Sequence, residues 1–202
     1  MALGDWLGAA LAFLGPPGLL AAMFLIFLAD AAVFPALPEL FIVAFYFQLT
    51  LGFLWPPLAA STALLVLALS GDLCGNAGLY ALVRWFQRRG HMPVRLERIM
   101  KRWTSFLIVG DERVILVNRI APAVPLTGAF IAVCGRSLRR SLAYVLVGGA
   151  VKYVALLALA VFLGVVFAPE TARDVTIVAV IVLIGISLAA GQYRHRRMEA
   201  RA

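Results

Sequence analysis

Charge is what this chain has least of. Only 14% of its 202 residues are Asp, Glu, Lys or Arg, against about 25% in soluble domains. A solvated globular surface is therefore excluded. Basic residues are absent altogether from the first 83 positions, and lysine occurs only at Lys101 and Lys152. Cysteine is confined to Cys74 and Cys134, both in apolar surroundings, which excludes a disulfide-built scaffold and reads as two small packed hydrophobes. The two histidines, His91 and His195, stand in basic stretches without acidic or thiol neighbours. Neither a metal centre nor a nucleophile–base pair can be assembled, so no enzymatic activity, metal or cofactor is expected. The opening "MALGDW" carries Asp5 and no basic stretch, which argues against a cleaved signal peptide.

What is there is apolar. Hydrophobic residues make up 63% of the chain, and the mean hydropathy is +0.97. These values describe an integral membrane protein. The net charge of +8 is gathered in clusters at Arg84–Arg102, Arg136–Arg140 and Arg194–Arg201. Cytoplasmic loops collect such clusters, and here they border apolar segments rather than decorating a soluble domain. Nucleic acid is thereby excluded as a partner.

Two short motifs organise the chain: Pro35-Ala36-Leu37-Pro38 and Pro122-Ala123-Val124-Pro125 each interrupt a long apolar run. Residues 1–17 read as an interfacial segment closed by "GPPG". Apolar arms at 18–34 and 39–55 flank the first break, and Pro56-Pro57 opens a full span reaching about Phe86. Residues 84–102 form a basic cytoplasmic connector that lies against anionic headgroups. The second break divides 103–135, and spans follow at about 141–168 and 174–193. Both flanks of 103–135 are cytoplasmic by their charge, so this segment must enter and leave on one side. Asp111, Glu112 and Arg113 cut its first arm to Val114–Ala121, on the order of 12 Å of the membrane core. That is too short for a crossing, and a re-entrant hairpin is predicted. The matching first motif predicts a second hairpin entering from the opposite face, although the null explanation is chance recurrence of proline in ordinary loops.

The expected fold is thus an all-α polytopic membrane protein. It has two oppositely oriented re-entrant helical hairpins and spanning helices in an inverted repeat (18–83 and 103–168), then a final span and basic tail over 169–202, with the C-terminus cytoplasmic. Irregular backbone at mid-membrane survives only against protein or a wet cavity, so the hairpin tips should line one.

Charges inside the apolar segments mark the candidate site, because an isolated charge at a helix centre costs roughly 2.5–3.5 kcal/mol. Glu39 follows the first proline motif, where it acts either as a capping carboxylate or as a cavity acid for protons or sodium. Asp72 lies among Gly71, Gly75 and Gly78, where helices approach closely; it is either a second coupling acid or a structural hydrogen-bonding group. Arg119, just before Pro122, suits a phosphate, unless it only pairs with Glu39 or Asp72. After Pro125 the next helix begins Leu126-Thr127 without an acid, leaving a helix N-terminus and the Thr127 hydroxyl for an anion. Lys152 either counters Asp72 or reaches for the interface. Asp30, Arg113 and Arg136 complete the supporting charge.

These residues resemble a known family. "FPALPELF", "SGDLCGNAGLYALVRWFQRRG" and "NRIAPAVPLTGAFIAVCGRSLRRSLAYVLVGGAVKYVALLALAVFLG" are similar to the DedA family, the prokaryotic branch of the VTT (SNARE-associated) membrane proteins, over roughly residues 20–165. The resemblance implies opposed re-entrant hairpins and translocation of polyprenyl phosphate carriers with ion coupling; eukaryotic relatives scramble phospholipids. It implies that Glu39 and Asp72 are coupling acids and Arg119 a substrate-binding arginine. One position departs: the family pattern R-x-x-P-x-x-R has its second Arg where this chain has Pro125. Either Arg113, Arg136 or Lys152 serves instead, or a different substrate is moved. The function expected is a proton- or sodium-coupled transporter of an anionic lipid headgroup in the cell membrane, working on membrane lipids and open to homo-oligomerisation. The alternatives are a proton-coupled exporter of small cations or drugs and an energy-independent phospholipid scramblase.

Overall fold

Helix boundaries follow the proline and glycine punctuation closely. In the computed structural model, which describes residues 13, 15–32, 38–90, 115, 126–167, 171, 174–182 and 185, α1 spans Gly15–Ala32 and begins at the "GPPG" turn. Helix α2 spans Pro38–Phe47 and continues as a π-helical turn, Gln48–Gly52. Then come α3 (Pro57–Arg88), α4 (Thr127–Val133), α5 (Leu138–Val166) and α6 (174–182). Among the described residues every regular element is helical. The two proline motifs lie outside them, apart from Pro38.

Among the described residues three helices, α1, α3 and α5, are long and apolar enough to cross a membrane. At 1.5 Å per residue they measure about 27, 48 and 44 Å, against a hydrocarbon core of about 30 Å. Helix α2 with its π turn has only 15 residues, about 22 Å. Pro57 at the first helical position of α3 has no N–H to leave unsatisfied there. That helix stops at Gly90, whose φ of +68° a glycine adopts at no steric cost. Helix α4 closes with two capping bonds: the Arg136 N–H donates to the Ile131 carbonyl (3.0 Å) and the Gly135 N–H to the Ala132 carbonyl (3.3 Å), with Gly135 at φ +63°. This Schellman pattern turns the chain directly into α5.

Packing fixes the helix directions. Gly71 meets Phe24, Phe27 and Leu28, and Gly75 meets Leu28 and Ala31, so α1 runs parallel to α3 in close contact. Helix α5 runs antiparallel to α3. Its start (Val145) shares a core with Val83 and with Ala129–Ala132 of α4, and its end (Leu157, Ala160) shares one with Ala60, Leu64 and Ala68. The bundle therefore has two apolar cores stacked along α3. The first also takes in α1, α2 and Val180 of α6.

The two short helices are placed reciprocally. Helix α2 ends beside the start of α3, four residues apart. Helix α4 starts with Gly128 against Asn76 and Leu79 of α3 and ends at the other, arginine-bearing end, before α5. Residues Thr127–Ala132 are all buried, as a helix apolar all round after its first residue requires. Leu126, just before α4, has φ +54°, a left-handed setting that costs a non-glycine residue about 1–2 kcal/mol. The packing of the buried helix behind it holds that strain.

Two expectations about α3 are corrected. Gly71 and Gly75 do admit a neighbouring helix, but a side chain at Gly78 would meet nothing within 4 Å among the described residues. Seven residues after Gly71, Gly78 shares that side of α3, but it lies one turn beyond the α1 contact at Ala31. Cys74 is exposed rather than packed, whereas Cys134 is half-buried; both are free thiols.

Candidate functional site

The gap between the two cores is polar. It lies at the middle of α3, where Asp72 and Asn76 are 2% and 1% exposed. Four residues apart, they share one helix face. The Asn76 amide N–H₂ donates to Asp72 Oδ1 and to the Asp72 main-chain carbonyl, both at 2.9 Å. With both donations to one residue, the amide orientation is fixed, and Asn76 Oδ1 is left buried without a donor among the described residues. Asp72 has a further contact beyond Asn76. From α5, Gly149 faces this acid: a Cβ there would stand 3.5 Å from Asp72 Oδ2.

One turn further along α5, Lys152 forms an ion pair with Glu39 Oε1. Glu39 sits in the first turn of α2, where the helix dipole favours an anion. Pairing also offsets part of the cost of placing two charges among apolar helices. The pair is half-buried, with Lys152 31% and Glu39 15% exposed. Lys152 Nζ also lies 5.8 Å from the Tyr153 ring centroid, within cation–π range. Tyr153 in turn packs edge-on against Phe27 of α1, at 5.1 Å and 84°. Helices α1, α2, α3 and α5 thus converge on one level, at the midpoint of both long helices.

The sequence-predicted residues divide as follows. Glu39, Asp72 and Lys152 come to the same level of the bundle. Of the alternatives open for Lys152, the partner is Glu39 rather than Asp72. Asp30 is half-buried near the end of α1 and has contacts of its own. Thr127, buried at the start of α4, also has a partner and lies next to Gly128, hence at the level of Asn76. Arg136 falls beyond the far end of α4, away from this level. Arg113, Arg119, Pro122 and Pro125 lie outside the described residues. Asn76 and Tyr153 were not singled out from sequence. A polar residue four places after a mid-span acid, in a chain with two asparagines, was the available signal for Asn76.

Chemically, the level offers a primary ammonium, two carboxylates, an amide oxygen and a hydroxyl in an otherwise apolar bundle. Among the described residues no three His, Cys, Asp or Glu side chains converge as metal ligands. At the α4 end of the bundle, Arg84, Arg88, Arg89, Arg139 and Arg140 are all exposed, with the Arg89 guanidinium 4.2 Å from the centre of the Trp85 ring. No family model, curated protein or solved structure matches the chain.

Proposed function

We propose that this protein is a multi-pass transporter of the cell membrane that moves an anionic lipid headgroup, with polyprenyl phosphate the leading candidate, coupled to protons or sodium. The observation that carries the reading is the Glu39–Lys152 ion pair at the middle of the bundle. Ionisable groups at that depth are expensive and are kept where a substrate or ion passes. In this reading α2 and α4 are the returning arms of two re-entrant hairpins entering from opposite faces. Support comes from their starts at the polar level, their exits at opposite ends, and the long helix that follows each. Hairpin-plus-span units in inverted orientation suit alternating access around a midplane site. The arginine-bearing end is the cytoplasmic one by the distribution of positive charge, which also puts the basic C-terminus inside. The likeness to the DedA family supplies the phosphate: Arg119 and Thr127 hold it, and Glu39 and Asp72 carry the ion.

Reconstitution into liposomes tests this. Translocation of a fluorescent polyprenyl phosphate should require a proton or sodium gradient and be abolished by Arg119→Ala. Glu39→Gln should change only its ion dependence. A silent Arg119→Ala ends the phosphate reading, and equilibration without any gradient makes the protein a scramblase.

A further inference from the structure

Glu39 and Lys152 form an ion pair at the middle of the bundle, a neutral couple of one carboxylate and one ammonium. We infer that Lys152 is a ligand for the anionic group of the substrate, and that Glu39 occupies it until a proton takes its place. This rests on the reading of the protein as a transporter of an anionic headgroup and adds the residue and the exchange.

Three observations lead there. First, the pair is only half-buried, unlike Asp72 and Asn76 beside it, so an incoming anion has access to it. Second, among the described residues the ammonium is held by one carboxylate and the face of Tyr153, an arrangement that one anionic oxygen replaces in kind. Third, among the described cations only Lys152 sits at the polar level; Arg84, Arg88, Arg89, Arg136, Arg139 and Arg140 are gathered at the end of the bundle. The other charged groups on elements packed against α2 at this depth are Asp30 of α1 and Asp72 of α3, each with contacts of its own, and the neighbouring phenols are Tyr46 and Tyr153.

The exchange balances. Glu39 takes up one proton and becomes a neutral acid; Lys152 keeps its charge and donates to one anionic oxygen of the ligand. The site carries zero net charge before the exchange and, with the ligand's negative charge included, after it, so no uncompensated charge is created at mid-membrane, where it would be most costly. One proton therefore accompanies each negative charge bound at Lys152.

The test is binding of NBD-labelled farnesyl methyl phosphate, a phosphodiester that keeps one negative charge from mildly acid pH upward, to the full-length protein in phosphatidylcholine vesicles, read by fluorescence anisotropy across pH. For the wild type, Kd should rise about tenfold per pH unit while Glu39 is mostly ionised, the slope of one linked proton. Glu39→Gln should bind at every pH as tightly as the wild type does in acid, because Lys152 is then permanently released. Lys152→Gln should lose at least tenfold in acid. The double variant Glu39→Gln/Lys152→Gln, which leaves no unpaired charge to disturb folding, should bind as weakly as Lys152→Gln. If the double variant binds like Glu39→Gln, Lys152 is no ligand and the inference fails while the transporter reading stands. A wild type that binds with no pH slope also overturns it. Failure of the wild type to bind the probe at any pH removes the anionic-headgroup reading and this exchange together.

Discussion

Replacing Gly75 by alanine adds a single methyl group, yet it should loosen the whole first core. A Cβ at this position would stand 2.5 Å from the Leu28 carbonyl oxygen and 2.7 Å from Ala31 Cβ. Ordinary contact begins at 3.4 Å, so α1 and α3 must separate by about 0.9 Å. The obstacle is helix backbone and a Cβ, neither of which has a rotamer to change. Over-packing of this kind costs about 1–3 kcal/mol. At about 2–4 °C per kcal/mol for a chain of this size, Tm should fall by about 2–12 °C, measured by circular dichroism in detergent micelles. Gly78→Ala supplies the control on the same helix. Nothing lies within 4 Å of its added methyl, and alanine is favoured over glycine in a helix by about 1 kcal/mol, so Tm should hold or rise. Gly71→Ala should behave as Gly75→Ala does, against the Phe24 carbonyl at 2.5 Å. Equal effects at Gly75 and Gly78 would refute the parallel seating of α1 on α3, and with it the level at which Phe27 and Tyr153 meet.

Asn76→Ala removes both donations to Asp72 and should destabilise by about 1–3 kcal/mol, seen as a lower Tm in the same micelles; Asn76→Asp should not rescue it, because it supplies no amide donor. Gly135→Ala forces a Cβ into φ +63° at the turn between α4 and α5, at a cost of about 1–2 kcal/mol, without touching any residue of the polar level; headgroup binding should therefore persist as stability drops. Single cysteines at Leu54 and at Arg89, in a Cys74→Ala/Cys134→Ala background, should react with a membrane-impermeant maleimide from opposite faces of right-side-out and inverted vesicles. Labelling from one face would refute α3 as a crossing.

Composition and punctuation made much of the architecture legible. An apolar chain with clustered arginines could only be read as membrane helices, since backbone polar groups in lipid must be satisfied within the helix itself. Proline and glycine then set the ends: Pro57 opens α3, Gly90 closes it, and Gly135 turns α4 into α5, because those residues act on the local backbone alone. Glu39 could be placed in the first turn of the helix after the first proline motif for the same reason.

Partnership was not legible. Lys152 could have answered Asp72 or reached for the interface, and nothing in the linear order favoured a residue 113 positions away. That choice depends on where α2 and α5 cross, which is decided by side-chain volume along α3: Gly71 and Gly75 draw α1 inward, and Gly149 brings α5 against Asp72. Gly71, Gly75 and Gly78 look alike in sequence and share one side of α3, yet among the described residues only the first two meet a neighbour, because contact depends on how far along the helix its neighbour reaches. Local backbone preference is encoded residue by residue. The meeting of charges at mid-bundle exists only once the two apolar cores have closed around it.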